Sequence, residues 1–401
     1  MDLELRPGTT DDHAEILRVD GVAFGDHFTE QDAEDALGAQ PPQFTVATVA
    51  DQIVGVTGHY DFTMTVPGGG ALQVPGVTWV SVSPVHRRRG VLRALMDRQV
   101  RDFAALGVPA AILTASEGGI YGRFGYGPAS SVRKTVLDRR VTRLVQSGQK
   151  TSGEVQVLNA EQARSVLPEL HRRWREQVPG ALNRTEAWWD HLFLDREQHR
   201  GGMSAKFYLT HPEGYVSYRV KEQWNDGIAA LQCRIVDYVI SSTDAHAALW
   251  QVLLGMDLFE SIESHQIPVD DPLPFLVNDF RQVRTTAVND GVWVRPIDAA
   301  ATLAARTYPV EVEAVIEVVD PLLGDRRLVL AGGPDGASCR PTDRPAQASF
   351  SLAGLGSAYL GGHRLSTLAR AGVLRCDDPR LLSRLELAFS TDRAPFYGTA
   401  F

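Results

Sequence analysis

Apolar positions recur with two different periods along the first 145 residues. Alternating or continuous apolar runs predict strands, and a period of three to four residues predicts helices. In chain order the pattern predicts a strand at residues 3–6, a helix through 16–17 that residues 10–12 can cap, strands at 44–50, 54–66 and 72–82, a helix from 91, a strand at 110–115 and a short helix. The glycines at 68–70 predict a hairpin turn between the third and fourth strands. This region is therefore mixed α/β.

A similar strand, turn and helix recur about 155 residues later. Residues 234–240 predict a strand, residues 241–244 can cap a helix, and the apolar positions at 249, 252, 253 and 256 have helical spacing. The spacing repeats that of residues 77–96, so we predict a second copy of the first fold. Residues 146–153 between the copies are polar with two glycines, which predicts a linker.

The last hundred residues follow a third pattern. Strands are predicted at 310–319, 327–331 and 348–352, and helices at 355–371 and 377–389. Strands followed by helices indicate an α+β domain. Gly354 and Gly356 begin a Gly-x-Gly motif, but Tyr359 takes the place of its third glycine, so a dinucleotide site is excluded.

Three arginines and a glycine, residues 87–90, stand at the predicted start of the helix from Val91. No Ser, Thr, Asp or Asn precedes Val91 to cap it, so the first amides of this helix are free for an anion such as a pyrophosphate. The run resembles the Arg/Gln-x-x-Gly-x-Gly/Ala loop of GNAT N-acetyltransferases, except that Leu92 replaces the last Gly or Ala. A solvated basic helix start or a nucleic-acid patch is the alternative.

A second motif follows about 30 residues later. Tyr121 precedes the pair Gly125-Tyr126, as a tyrosine precedes a Gly-aromatic pair in GNAT enzymes. A tyrosine hydroxyl, with an ordinary pKa of about 10, can protonate a departing thiolate. Tyr121 is therefore the candidate general acid, with a core aromatic role as the alternative. The place of Tyr126 suits the start of a strand, which predicts a structural role.

Composition narrows the class of protein. The chain has 401 residues, 44% of them apolar and 22% charged, which is ordinary for two or three globular domains. Its net charge of −9 disfavours nucleic acid as a partner. No apolar run reaches the ~18 residues of a membrane span. Residues 1–4 lack the apolar core of a signal peptide, so we expect a cytoplasmic protein, and any secretion would use a route that the sequence does not announce.

Metal and nucleophile motifs are not predicted. Cys233, Cys339 and Cys376 are odd in number and far apart, and the sequence has no His-Glu-x-x-His. It also has no Gly-x-Ser-x-Gly. We therefore expect direct attack of an amine on a thioester within a ternary complex, without a metal ion.

The chain as a whole resembles the Eis (enhanced intracellular survival) aminoglycoside N-acetyltransferases of mycobacteria and other actinobacteria. The resemblance rests on residues 82–90, 116–128, 174–180, 271–274 and 359–368. It implies tandem GNAT-like regions, a catalytic one at 1–148 and a degenerate one at 154–297, followed by a sterol-carrier-protein-like α+β domain at 298–401. It also implies acetyl-CoA as the cosubstrate, a homohexamer, and acetylation of several amines of one aminoglycoside and of lysine-type amines.

The resemblance further implies which residues hold acetyl-CoA. The pantetheine arm would pair with the strand edge of Val80, Ser81 and Val82. Ser116 and Glu117 would border the cofactor. The residues expected to hold the pyrophosphate are Arg88, Arg89, Gly90, Val91, Leu92 and Arg93.

Catalytic and substrate roles are implied in the same way. Tyr121 would be the general acid, and the α-carboxylate of Phe401 would be the general base. Such a carboxylate has an ordinary pKa of about 3.5, which burial would raise. The tail at 395–401 is largely apolar, which predicts insertion rather than surface docking. Asp26 matches an acidic position of the substrate pocket, with a lone surface aspartate as the alternative, and Ala400 stands where relatives carry an acid.

Three functions remain open from the sequence. The first is an acetyl-CoA-dependent N-acetyltransferase that acts on polyamines such as aminoglycosides. The second is a non-catalytic acyl-CoA or lipid carrier that uses the C-terminal domain. The third is a protein-lysine N-acetyltransferase. Release of free CoA in the presence of an amine separates the enzymes from the carrier.

Overall fold

The computed structural model describes residues 2–38, 43–145 and 153–401. These form two compact units, which we describe separately. The first unit comprises Met1–Ser130, Val292–Asp392 and Ala400–Phe401, and the second comprises Ser131–Gly291 and Arg393–Thr399. The predicted linker at 146–153 lies outside the described residues, apart from Gly153.

The N-terminal part of the first unit follows the predicted order of elements, with one helix, α2, that the sequence analysis did not predict. Its elements are β1 (Glu4–Pro7), α1 (His13–Phe24), α2 (Glu30–Gly38), β2 (Gln43–Val49), β3 (Gln52–Thr65), β4 (Ala71–Val82), α3 (Val91–Ala105), β5 (Ala110–Thr114), α4 (Gly118–Tyr121) and β6 (Gly127–Pro128). At the entry to α1, the Asp12 carboxylate accepts a hydrogen bond from the Thr9 amide at 2.8 Å, which closes a capping box.

The second unit begins at β7 and has its own sheet. Its elements are β7 (Ser131–Asp138), β8 (Gln156–Leu158), α5 (Ala160–Arg175), α6 (Glu186–Leu194), β9 (Phe207–His211), β10 (Gly214–Lys221), β11 (Trp224–Asn225), β12 (Ile228–Ala229), β13 (Leu231–Ile240), α7 (Thr243–Gly255), β14 (Phe259–Pro268), α8 (Leu273–Leu276) and β15 (Arg284–Asp290). The predicted cap of α7 is confirmed, because the Ser242 hydroxyl accepts a hydrogen bond from the Ala245 amide at 3.2 Å.

The chain then returns to the first unit. The remaining elements are β16 (Val292–Pro296), α9 (Ala299–Ala304), β17 (Val312–Val319), β18 (Arg326–Gly333), β19 (Gly336–Pro341), β20 (Ala348–Ser351), α10 (Leu352–Tyr359), α11 (Leu365–Arg370), β21 (Leu374–Arg375) and α12 (Pro379–Phe389). The sheet β19-β18-β17-β20-β21 and these helices enclose a core that includes Tyr308, Phe350 and Phe389.

Sheet order shows where the predicted domain boundaries and the compact units differ. In the described residues the first sheet has the order β1-β2-β3-β4-β5-β16-β6, and the second has the order β15-β7-β14-β13-β10-β9-β8. Strand β7 therefore pairs in the second sheet although it precedes the predicted boundary at 148. Strand β16 pairs with β5 and β6 in the first sheet although it precedes the predicted boundary at 297.

One predicted helix is wrong. The pattern at 355–371 predicted a single helix, whereas α10 ends at Tyr359 and α11 begins at Leu365. Between them Gly361 has φ +82°, and a Cβ at this position would lie 2.8 Å from the carbonyl oxygen of Phe389. The left-handed backbone and this close approach interrupt the helix.

The segment Arg393–Thr399 is anchored inside the second unit. The Arg184 guanidinium donates hydrogen bonds to the Gly398 carbonyl at 2.6 Å and to the Thr399 hydroxyl at 3.1 Å. The same guanidinium forms a buried ion pair with Asp237 at 2.6 Å. The predicted insertion of the tail is thus confirmed for this segment, with Phe396 and Tyr397 both buried.

Candidate active site

Strands β4 and β5 run parallel but separate before they end. Their paired register includes Gly76 with Ile112 and Val77 with Leu113, while β4 continues to Val82. The side of β4 that faces β5 is therefore unpaired in this register beyond Val77. A diverging pair of parallel strands leaves free main-chain donors and acceptors that an extended ligand can use.

A bulge in β4 lies in the part of the strand that β5 leaves unpaired. Between Gly58 and Val56 of β3, the pairing steps from Thr78 to Ser81, so two residues of β4 face one of β3. Trp79 in this bulge has φ +54°, a left-handed conformation that is costly for a bulky residue. The ring of Trp79 is held by stacking on Phe28 at 5.8 Å.

A cavity of about 800 Å³ occupies the first unit beside this separation. It is lined by β4, the loop into α3, the start of α3 and the segment after β5. Its lining residues are Ala23, Phe24, Val80, Ser81, Val82, His86, Arg87, Arg88, Gly90, Val91, Leu92, Arg93, Ser116, Glu117, Ile120, Tyr121, Arg123 and Phe124. The cavity thus brings together eleven of the fourteen residues predicted from the sequence; Arg89, Asp26 and Phe401 are not among its lining residues.

The start of α3 has the geometry expected of an anion site. Gly90 precedes the helix with φ +87° and no side chain caps it, which confirms the uncapped start. Arg88 also has a positive φ, +61°, so two left-handed residues shape this loop. Unpaired amides at a helix N-terminus beside exposed arginines favour a phosphate or pyrophosphate.

Tyr121 forms the inner wall of the cavity. It ends the short helix α4 and is 4% exposed. Burial raises the pKa of its hydroxyl above the ordinary value; the Ser116 hydroxyl opposes this rise and the Glu117 carboxylate adds to it. A tyrosine in this setting keeps its proton at neutral pH and can donate it.

Tyr126 lies deeper in the same core. Its ring meets that of Tyr121 edge-on at 6.4 Å, and it is completely buried. Its hydroxyl has no hydrogen-bond partner among the described residues. Burial raises the pKa of Tyr126 strongly, so this hydroxyl stays neutral. The arrangement fits the predicted structural role.

Phe401 lies near the end of β5. Its main-chain oxygen accepts a hydrogen bond from the Thr114 hydroxyl at 3.1 Å. Its ring packs on Phe62 at 4.9 Å, and a Cβ at Gly76 would stand 2.9 Å from it. The sequence analysis missed Gly76 and Thr114. An isolated glycine in the β4 pattern and a polar residue closing the apolar β5 run were the available signals.

Asp26 follows α1 and is exposed. Its amide donates to the Gly21 carbonyl at 2.8 Å, and its carboxylate accepts from the His27 amide at 2.8 Å. Asp20, in the last part of α1 and buried, was also missed by the sequence analysis. A lone acid on the apolar face that carries Ile16 and Val19 was the signal that could have revealed it.

Neither a metal-ion cluster nor a bilayer-crossing helix occurs among the described residues. Across residues 2–38, 43–145 and 153–401, no three His, Cys, Asp or Glu side chains are grouped in a way that could hold a metal ion. In the same ranges, no helix has both the length and the apolar character that crossing a bilayer requires.

Three regions of the chain match known domain families. Residues 4–129 and 180–296 each match an acetyltransferase (GNAT) domain family, and residues 299–398 match a sterol carrier protein domain. The predicted fold class, tandem GNAT-like regions followed by a sterol-carrier-protein-like domain, is confirmed. GNAT acetyltransferases use acetyl-CoA.

Full-length relatives agree with this division. The chain is 38% identical over 404 residues to the N-acetyltransferase Eis of Mycobacterium tuberculosis, covering 98% of both chains. It is 37% identical over 365 residues to an uncharacterized N-acetyltransferase of Streptomyces coelicolor, covering 88% of this chain and 87% of the relative. The crystal structure of Eis1 from Mycobacterium abscessus superimposes with a TM-score of 0.87 at 33% identity and covers all of both chains. The chain is therefore a member of the Eis family of GNAT N-acetyltransferases.

Proposed function

We propose that this N-acetyltransferase binds acetyl-CoA in the 800 Å³ cavity and transfers acetyl groups to amines of aminoglycoside-type polyamines, several per molecule. One observation carries the proposal: an uncapped, arginine-flanked helix start, an unpaired strand edge and a buried tyrosine line the same cavity. These features supply an anion site, a main-chain partner for an extended arm and a proton donor, which together match the parts of an acyl-CoA thioester.

Each part of the cavity would bind one part of the cosubstrate. The amides from Gly90 to Arg93, with Arg88, would hold the pyrophosphate. The free edge of β4 at Val80–Val82 would pair with the pantetheine arm. Ser116 and Glu117 would border the same arm from the segment after β5. Arg89 is exposed and outside the cavity lining, so its contribution would be long-range charge.

Two residues of the chain would move protons. The acceptor amine, once neutral, attacks the carbonyl carbon of the thioester; an N–C bond forms and the C–S bond breaks. The Tyr121 hydroxyl gives its proton to the departing thiolate. The carboxylate of Phe401, held by Thr114, takes one proton from the acceptor ammonium before the attack and passes it to solvent. The second proton, which the nitrogen loses as the amide forms, restores the Tyr121 hydroxyl. Direct attack in a ternary complex requires no covalent enzyme intermediate.

The substrate class rests on the family resemblance and on charge. The chain carries a net charge of −9, which would attract a polycation to the protein. Asp26 would contribute an acidic group to the acceptor site. Ala400 supplies no charge next to Phe401, so other acids must compensate.

We extend the proposal to the assembly and location of the enzyme. The three sequence regions at 1–148, 154–297 and 298–401 would retain catalytic, packing and tail-supplying roles. The protein would be cytoplasmic, and it would form a homohexamer, as the family resemblance implies. Light scattering of the purified protein at several concentrations measures the subunit count directly.

Release of free CoA tests the function. The purified enzyme, acetyl-CoA and kanamycin should release CoA thiol, and mass spectrometry should show acetyl additions to the drug. A lysine-containing peptide serves as the competing acceptor. Faster turnover on the peptide would favour a protein-lysine acetyltransferase, and the absence of CoA release with any amine would favour a carrier.

A further inference from the structure

The side chains of one polar pair beside the cavity have no part in the chemistry proposed above, which uses only the main chain of Ser81. Ser81 lines the cavity and is 4% exposed, while Asp20 on α1 is 8% exposed. Within the described residues, neither the Ser81 hydroxyl oxygen nor Asp20 Oδ1 has a hydrogen-bond partner. Buried polar atoms are nearly always paired, so a serine hydroxyl and a carboxylate oxygen without partners favour a bound group that can donate a hydrogen bond.

The register of β4 places Ser81 on the face of the sheet that packs against α1, the helix that carries Asp20. Ser81 lies opposite Val56 of β3, and residues opposite one another point to the same face of a sheet. Val56 packs with Ile16 and Val19 of α1 on that face. The Ser81 hydroxyl is near enough to lower the pKa of Asp20, although the two do not meet in hydrogen-bonding geometry.

Charged groups of both signs lie near this pair. Asp26, just after α1, acts on Asp20 as a like charge. Arg87 donates to the Ala23 carbonyl of α1 at 3.0 Å and lines the same cavity as Ser81. On α1 itself, Glu15 and Arg18 pair with each other at the surface.

We propose that Ser81 and Asp20 bind a second, non-reacting ammonium group of the acceptor and thereby select amines that carry at least two cationic groups. The ammonium donates a hydrogen bond to the Ser81 oxygen, and on binding the Ser81 hydroxyl turns to donate to the Asp20 carboxylate. Asp20 is thus a positioning residue that acts through Ser81, and Asp26 adds long-range attraction. This inference rests on the proposed function, because it assigns part of the acceptor site of that reaction.

The charge state of Asp20 makes the selection depend on pH. Burial raises the pKa of Asp20 to about 6; the Ser81 hydroxyl opposes the shift and Asp26 adds to it. The carboxyl group is therefore largely ionised at neutral pH and neutral in mild acid. A bound ammonium favours the ionised form, so its affinity falls as the carboxyl group takes up a proton.

Binding measurements test the proposal without requiring turnover. Titration calorimetry of the full chain with kanamycin, which carries several amines, and glucosamine, which carries one, gives Kd for each. Asp20→Asn and Ser81→Ala should each weaken kanamycin binding ~10- to 100-fold at about pH 8, with little effect on glucosamine. For the unmodified enzyme, the ratio of the glucosamine Kd to the kanamycin Kd should be smaller at about pH 5 than at about pH 8. Glu15→Gln, an acid-to-amide change on the exposed side of α1, should alter neither Kd.

The outcomes separate the two proposals. Equal weakening of both ligands would mean a structural effect and would overturn the inference, as would unchanged kanamycin binding in both variants or no kanamycin binding by the unmodified enzyme. Kanamycin binding that depends on Asp20 and Ser81, but without CoA release, would support the site and reject the proposed reaction. Circular dichroism of each variant confirms that it is folded.

Discussion

The ring of Phe401 lies directly against the α-carbon of Gly76. A methyl group at Gly76 would stand 2.9 Å from a ring carbon of Phe401 and 2.6 Å from the ring of Phe62. Both distances are shorter than carbon atoms tolerate without movement. Glycine at position 76 is therefore what allows the last residue to approach β4, and any larger side chain must displace an aromatic ring.

We expect Gly76→Ala to lower kcat by at least about tenfold, because a shift of ~1 Å in a reacting group is enough for such a loss. Overpacking should also reduce the free energy of unfolding by about 1–3 kcal/mol. Steady-state kinetics and urea unfolding measure the two effects. Gly255→Ala is the matched control, since a Cβ there meets no atom within 4 Å. An unchanged kcat in Gly76→Ala would show that the position of Phe401 does not matter for turnover.

Extension of the chain tests the terminal carboxyl group itself. Two glycines appended after Phe401 keep its ring but move the free carboxylate away, so we expect kcat to fall ~100-fold or more, in line with general-base contributions. The melting temperature should change little, because Phe396 and Tyr397 remain buried. Intact mass spectrometry verifies the last residue of each protein. Full activity in the extended protein would rule out the carboxylate as the base.

The neighbouring residues Tyr121 and Tyr126 allow a controlled test of the general-acid role, because only Tyr121 is proposed to donate a proton. Tyr121→Phe removes the proposed proton donor, so kcat should fall ~100-fold with KM for acetyl-CoA unchanged. Tyr126→Phe removes a buried hydroxyl without a described partner, so activity should be retained and stability should stay equal or rise by about 1 kcal/mol. Equal losses in the two variants would assign the effect to packing instead of proton transfer.

Local patterns predicted much of this fold because the corresponding signals lie within a few residues of one another. The uncapped start of α3 and the capped start of α7 could be distinguished from residues 87–91 and 241–244 alone. Eleven predicted residues meet in one cavity because they lie at or just after the ends of two neighbouring strands. Most of these residues were predicted from the family resemblance, which rests on the two motifs after β4 and β5.

Local sequence patterns could not predict strand pairing or contacts between residues that are distant in the chain. Strand β7 pairs with β14 in the second sheet and β16 pairs with β5 in the first sheet, and both partner strands are more than 100 residues away in the chain. A local period of apolar residues does not encode such pairings. The contact of Phe401 with Gly76 and Thr114 is equally non-local. The break between α10 and α11 near Gly361 depends on the backbone of Phe389, which is distant in sequence. The apolar period of the sequence does not register this contact and continues through the break, which is why a single helix was predicted.

A buried ion pair supports the loop that follows Tyr121. Arg295 is completely buried; it donates to the Phe124 carbonyl at 2.7 Å and pairs with Asp320 at 3.0 Å. Asp320→Ala would leave the guanidinium uncompensated, and we expect a loss of about 3–5 kcal/mol in unfolding free energy. The double variant Arg295→Met, Asp320→Leu should recover part of this loss. Chemical denaturation measures both, and a loss below about 1 kcal/mol in Asp320→Ala would contradict the assignment.

The raised pKa of Asp20 makes a prediction about stability that does not depend on any ligand. Its pKa rises from 3.8 to about 6 on folding, chiefly through burial. Between these two pH values the folded state therefore holds a proton that the unfolded state has already released. The stability that comes from this proton is complete below about pH 4 and is lost as pH rises through about 6. Two pKa units correspond to about 3 kcal/mol at most, and partial solvent screening reduces this to about 1–2 kcal/mol.

Asparagine resembles the protonated aspartate and cannot ionise. Asp20→Asn should therefore match the unmodified protein near pH 4 and exceed its unfolding free energy by about 1–2 kcal/mol near pH 8. Urea unfolding across this range measures the difference. Glu15→Gln provides a contrast of opposite sign, because Arg18 lowers the pKa of Glu15 and its stabilisation is present at high pH instead. The prediction fails if the unfolding free energies of Asp20→Asn and the unmodified protein change with pH in parallel. Asp20 would then have the same pKa in the folded and unfolded states, and its ionised form would not destabilise the fold.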